Sequence, residues 1–237
     1  MKKALISLIV ALTGIQGYAQ SVLSGSTSNS DMNGWSCAWV EWSPSTFKVD
    51  QKGADDQSFT GLSAGYSKAF SVTPTNPVFI EVGIGLQYSF YEDNFMVEEM
   101  TYDGDTYSRS AKRSLDLWSF KVPVNLLYKY DMPNSSVSIM PFAGINLRYN
   151  FIGTMHDNSV YERDANGFLI YERNLFDSGE MGGSNATWNR FQLGWNIGVK
   201  AHFAKHIMAG LTYGNDLSEI AKKTKISTTA ISVGYVF

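Results

Sequence analysis

The sequence predicts an all-β fold, an eight-stranded antiparallel transmembrane β-barrel, and three observations carry that expectation. Long segments alternate apolar and polar residues with period two, as strands with two unlike faces do. Aromatic residues collect at both ends of the apolar faces. Short and long connectors alternate along the chain, the pattern of strands that run up and down across a bilayer.

The chain opens MKKALISLIVALTGIQGYAQ, with Lys2 and Lys3 ahead of a short apolar run and small residues at Gly17 and Ala19. Residues 1–19 therefore read as a secretory signal peptide, cleaved between Ala19 and Gln20. The apolar run is too short to span a bilayer comfortably as a helix. Residues 20–34, rich in Ser, Asn and Gly, read as a flexible periplasmic leader. The barrel domain is expected over residues 35–237.

Two weaker strand segments come first, Cys37 to Phe47 and Phe59 to Val72. In the third, Val78 to Tyr91, the even positions are Val78, Ile80, Val82, Ile84, Leu86, Tyr88 and Phe90, while Glu81, Gly83, Gly85, Gln87 and Ser89 lie opposite. Trp118 to Tyr130 and Ile139 to Phe151 repeat the alternation. Asn189 to Phe203 sets Phe191, Leu193, Trp195, Ile197, Val199, Ala201 and Phe203 against Arg190, Gln192, Gly194, Asn196, Gly198, Lys200 and His202. Ile207 to Gly214 and Ile226 to Phe237 complete the eight. Pro123 falls inside the fourth segment and predicts a bulge or irregular pairing there.

A soluble sandwich also alternates. The segments here are longer than the roughly five or six residues usual in soluble sheets. Their polar faces are rich in Gly and Ser, as a narrow barrel interior requires. Trp42, Tyr88, Phe90, Trp118, Phe120, Tyr149, Phe151, Phe191 and Tyr213 gather toward the long connectors. Phe70, Tyr128, Tyr130, Phe203, Tyr235 and Phe237 gather toward the short ones, making two girdles. The long connectors are expected at Lys48 to Ser58, Glu92 to Leu115, Ile152 to Thr187 and Asn215 to Lys225. A one-residue slip of the sixth segment, Asn189 to Phe203, would aim Arg190 and Lys200 at lipid, so the register is fixed.

Of the 19 basic residues, Lys2 and Lys3 leave with the signal peptide, so 17 face 22 acidic ones, about −5 net. That balance gives no reason to expect nucleic acid. Cys37 is the single cysteine, which excludes an internal disulfide and a Cys-based zinc site. Six charges fall on the polar faces: Glu41, Glu81, Lys121, Arg148, Arg190 and Lys200. Eight strands leave an interior that side chains fill. These charges thus read as a paired plug, with a narrow ion or proton path as the competing reading. His202 and His206 have helical ligand spacing but sit on a strand and turn, so no metal site is expected. His156, Asp157 and Ser159 at the outer rim read as an ordinary polar loop, with catalysis as the alternative. Val160 to Asn174 repeats Tyr-Glu-Arg around a turn and predicts a hairpin standing above the membrane. It would either extend the wall or offer an edge to a partner. DGDTYS at Asp103 lacks the ligand spacing of a calcium loop.

The signal-like start, eight alternating strands, short turns and the terminal ISVGYVF resemble the small outer-membrane β-barrel family of Bacteroidota-type bacteria. That family includes the PorT-like proteins and is similar in fold to the OmpA and OmpX barrels. The resemblance covers Trp35 to Phe237 and carries no catalytic motif. It implies a Gram-negative outer-membrane location, contact with outer-membrane lipid, and assembly by the barrel-assembly machinery, with Tyr235 and Phe237 as the signal read. With no domain after the last strand, an OmpA-like tethering role is not expected. The role it implies is structural or interactive and non-enzymatic, without cofactor, as an accessory to an envelope or secretion complex through an envelope protein bound at the outer loops. A narrow, porin-like channel or transporter is the first alternative, and a lipid-modifying enzyme the second.

Overall fold

The computed structural model describes residues 34–50, 56–73, 76–102, 105–161, 168–177, 188–203 and 206–237. Of 73, 76, 93–102, 105–111, 157–161 and 168–171 only the backbone is described. The expected signal peptide, the expected Ala19–Gln20 cleavage point and nearly all of the expected leader fall outside these residues.

Ten strands form: β1 (Trp35–Val49), β2 (Gln57–Thr73), β3 (Asn76–Tyr102), β4 (Asp105–Tyr128), β5 (Tyr130–Asp131), β6 (Val137–Tyr161), β7 (Phe168–Asn174), β8 (Phe191–Phe203), β9 (Ile207–Asp216) and β10 (Thr224–Val236). Eight of them make the wall. β1, β2, β3, β4, β6, β8, β9 and β10 pair antiparallel in that order, and β10 returns to β1 through Cys37↔Val236 to Val49↔Thr224. β5 continues β4 past Lys129 and pairs with β6 at Tyr130↔Ile139. Closure satisfies the backbone within the apolar belt, which an open sheet in hydrocarbon cannot do.

The alternation sorts side chains by face. Val40, Ile84, Leu126, Ile197, Leu211 and Val233 are exposed on the outside, while Ser63, Gln87, Asn125, Arg148 and Gln192 are buried within. Where the wall sheets run closest, glycines replace side chains. A Cβ on Gly65 or Gly85 would lie 2.5 Å from the indole ring of Trp39, so both give that inward ring its space.

The strands extend further than the alternation indicates. Most of Glu92 to Leu115, expected as a loop, is paired backbone, with β3 and β4 paired from Glu92↔Ser114 to Tyr102↔Asp105 across a register shift between Asn94 and Met96. β4 and β6 pair out to Arg109↔Tyr161, and β7 adds alongside β6 from Thr154↔Asn174 to Ser159↔Phe168. The hairpin expected over Val160 to Asn174 is therefore present as β6 and β7, with its turn outside the described residues. Those extensions carry no period-two pattern in the sequence, which is why they read as loop.

Two irregularities follow from local chemistry. At Pro123 the β3–β4 ladder skips from Val82↔Val124 to Gly85↔Lys121 with unchanged register, a gap rather than the expected bulge. Pro123 lacks the donor. The bulge lies instead at Phe151, between Trp118↔Ile152 and Ser119↔Asn150. Beyond it the faces of β6 exchange, so Ile152 is exposed and Gly153 buried.

Candidate functional site

The interior is layered. Near the short-turn end Cys37, Ala69, Phe79, Leu127, Met140, Phe142, Met208 and Val236 form an apolar cluster with Trp35 and Trp39 against it. At the long-loop end Phe47, Phe59, Leu115, Leu117 and Ile226 form another, roofed by Leu175 and Ile220 from the connectors. Between the two lies a polar layer. Apolar plugs of this kind are cheap to pack and expensive for an ion to cross.

Three ion pairs organise the polar layer. Lys121 on β4 contacts Glu41 on β1, and Lys200 on β8 contacts Glu81 on β3. Arg148 on β6 meets Asp216 on β9 at 2.5 Å. None joins neighbouring staves, so each pair crosses the lumen rather than running along the wall. One member of each pair is further engaged: Ser63 donates to Glu41 at 3.2 Å, the Asn125 amide to Glu81 at 3.1 Å, and Arg148 Nε to Gln192 at 2.7 Å. Buried charges need such partners because desolvation otherwise costs several kcal/mol each. Asn150 ties the layer upward, accepting from Ser119 at 2.7 Å and donating to Gln192 at 3.2 Å. A cavity of about 80 Å³ remains, lined by Glu41, Glu81, Lys121, Arg148, Lys200 and Asp216 among others. That is room for a few waters, not for a solute.

Five of the six charges assigned to the interior thus meet in one layer. Arg190 is the correction. It is exposed, precedes β8 by one residue, donates to the Phe151 carbonyl at 3.1 Å and covers the Phe176 ring at 4.5 Å. The wall ends at Phe191, so parity beyond it no longer fixes a direction. Asp216 is the residue the sequence reading missed. It extends the inward series Met208, Gly210, Thr212, Gly214 by one step, and following that parity past Gly214 finds it.

At the rim, His156 lies between two carboxylates, with Nε2 3.8 Å from Asp116 and Nδ1 3.8 Å from Glu172. Both distances exceed hydrogen-bond length. Tyr88 donates its hydroxyl to Asp116. The side chains of Asp157 and Ser159 lie outside the described residues. His202 and His206 do not converge: His202 is on the inner face of β8, and a His206 ring nitrogen lies 3.1 Å from the Val236 carbonyl. Among the described residues no three His, Cys, Asp or Glu are placed to hold a metal.

A family model described as outer membrane protein beta-barrel domain matches residues 8–237. The chain belongs to that family. No curated protein matches it. Among solved structures, this outer-membrane barrel is similar to Ail, the attachment invasion locus protein of Yersinia pestis, at 14% identity and TM-score 0.42 over 87% of this chain and 100% of that one. It is similar to Neisserial surface protein A at 13% identity and TM-score 0.41, over 85% of this chain and 97% of that one. It is also similar to the outer membrane enzyme PagL at 12% identity and TM-score 0.36, over 81% and 97%.

In an outer-membrane barrel the exposed apolar belt is the lipid surface, and its two aromatic rims mark the interfaces. At the long-loop rim Tyr88 packs at a tilt on Trp118 at 4.9 Å and Phe120 stacks with Phe151 at 4.8 Å. At the other, Tyr235 packs on Phe237 at 5.1 Å and on His206 at 5.5 Å. Tyr235 and Phe237 are both exposed on the outer face. Lys68 stands on the lipid face as well, with its ammonium 5.4 Å from the Phe70 ring. Phe70 lies nearer the short-turn end, so the lysine leans toward water.

Proposed function

We propose that this outer-membrane barrel is a non-enzymatic interaction protein, an accessory of an envelope or secretion complex, of the PorT-like, Bacteroidota type that its sequence resembles. One observation carries the reading: the molecule invests its long strands above the membrane rather than in a lumen. β3, β4, β6 and β7 rise past the belt as one sheet. On the side away from β4, β3 pairs with β2 only as far as Phe90, and β7 pairs with β6 alone, among the strands described. Open sheet edges of that kind accept an extended segment from a partner. The signal peptide would direct export and be cleaved between Ala19 and Gln20, and the barrel-assembly machinery would read Tyr235 and Phe237.

The test is an affinity pull-down from mildly solubilised outer membranes, run boiled and unboiled on a gel. It compares the full chain with a variant in which 94–112 and 157–172 are replaced by tight turns. A stoichiometric envelope protein that follows the full chain and leaves the variant, while both migrate faster unboiled, is the expected result. A partner retained by the trimmed barrel, or none with either, would count against the sheet as the binding platform.

A further inference from the structure

The seam where β1 meets β10 holds an arrangement that barrel stability does not explain. Phe47 and Ile226 pair across it and point into the long-loop apolar cluster. The next positions out, Lys48 and Lys225, therefore face outward, and they too are direct cross-strand partners. Both are exposed. Like charges directly opposite on one face of an antiparallel pair repel each other. The turn leading into β10 adds exposed Lys222 and Lys223. Lys223 holds φ at 59°, a left-handed conformation that Gly or Asn adopts at lower cost.

None of these four lysines has an ion-pair partner among the described residues. Among the described residues the carboxylates nearby are Asp50, Asp56 and Glu219. Asp56 accepts the Val49 amide at 3.3 Å and Glu219 the Lys223 amide at 3.0 Å. Asp50 donates its own amide to the Lys223 carbonyl at 2.8 Å. On the same outer face, toward the belt, Thr46 pairs with Ser227, whose hydroxyl lies 3.4 Å from that of Tyr213. Tyr213 belongs to the aromatic rim. The lysines thus stand just beyond the hydrocarbon boundary, in the layer that lipid headgroups occupy.

We infer that Lys48 and Lys225, supported by Lys222 and Lys223, bind the phosphate groups of an anionic glycolipid packed against the β1–β10 seam. A phosphate between the two ammonium groups converts their repulsion into two charge-assisted contacts. The hydroxyls of Thr46 and Ser227 lie below it, where headgroup oxygens meet the apolar wall. Lys68, which faces lipid beside Phe70, lacks this pairing: its cross-strand partners are Ser36 and Val82.

The experiment uses the full chain in phosphatidylcholine nanodiscs doped with lipid A or with dephosphorylated lipid A, and reads the retained lipid by native mass spectrometry. Wild type should retain the phosphorylated lipid about tenfold or more over the dephosphorylated one, and rising salt should weaken that preference. Lys48→Gln with Lys225→Gln should erase it. Lys48→Arg should keep it, and Lys68→Gln should leave it unchanged. Faster migration without boiling certifies each variant as folded. Equal retention of the two lipids by wild type, or an unchanged preference in the double variant, overturns the assignment. Displacement by equimolar inorganic phosphate would make the seam a small-anion site and overturn the lipid reading equally.

Discussion

Glu81 sits 2% exposed in the middle of the barrel, where only its contacts with Lys200 and Asn125 make a charge tolerable. Removing one partner of such a pair leaves the other buried and uncompensated, which costs about 3–5 kcal/mol, whereas replacing both by apolar groups of similar size is close to neutral. Glu81→Ala is therefore expected to lower the urea midpoint of the barrel refolded in lipid vesicles by several kcal/mol of unfolding free energy. Lys200→Met should do the same. The double change Glu81→Gln with Lys200→Met should recover most of the loss. A single substitution with an unchanged midpoint would mean that the pair does not brace the lumen. The same residue scale shows what the sequence made legible. Inward parity places Glu41, Glu81, Lys121, Arg148 and Lys200 together, but it cannot state who pairs with whom. That depends on which staves face each other across the lumen, a property of closure.

At the scale of elements, the wall strands are legible because lipid on one face and a filled lumen on the other impose two-fold alternation. The upper halves of β3 and β4 are not, since their sequence carries no such alternation. The bulge at Phe151 is illegible for a related reason: apolar residues on either side of it, Tyr149 and Ile152, both face outward, so the run reads as continuous. The short turn between β5 and β6 offers a test at this scale. Asp131 accepts the Ser138 hydroxyl at 2.6 Å and lies 3.3 Å from the Lys129 ammonium. The Ser138 hydrogen bond first, then Lys129, hold its carboxyl below the usual aspartate range. A depressed carboxylate stabilises the fold above its unfolded pKa and loses that contribution as pH falls through its folded value. Wild type should thus lose a little stability on acidification below about pH 4 that Asp131→Asn never had. Because the carboxylate is largely exposed, the difference should be on the order of a few tenths of a kcal/mol. Unfolding midpoints collected from about pH 6 to pH 3 decide it: parallel curves for the two proteins would remove Asp131 from the account.

For the whole molecule, the layered lumen decides between a conduit and a closed barrel. An ion entering from the long-loop end meets Leu115, Leu117, Leu175 and Ile220, all at 3% exposure or less. Past the paired charges it meets Phe79, Leu127 and Met140, each at 1% or less. Stripping hydration from an ion to cross two such layers costs far more than thermal energy, and the charges between them are already occupied by each other. Reconstituted in planar bilayers, the purified barrel is therefore expected to give no stepwise conductance. Arg148→Ala and Lys121→Ala should stay silent too, because the plugs, not the ion pairs, close the path. Phe79→Ala alone should also stay silent, since the cluster at the opposite end is untouched. Discrete openings in wild type that vanish in Lys121→Ala would instead assign conduction to the polar layer and displace the interaction reading.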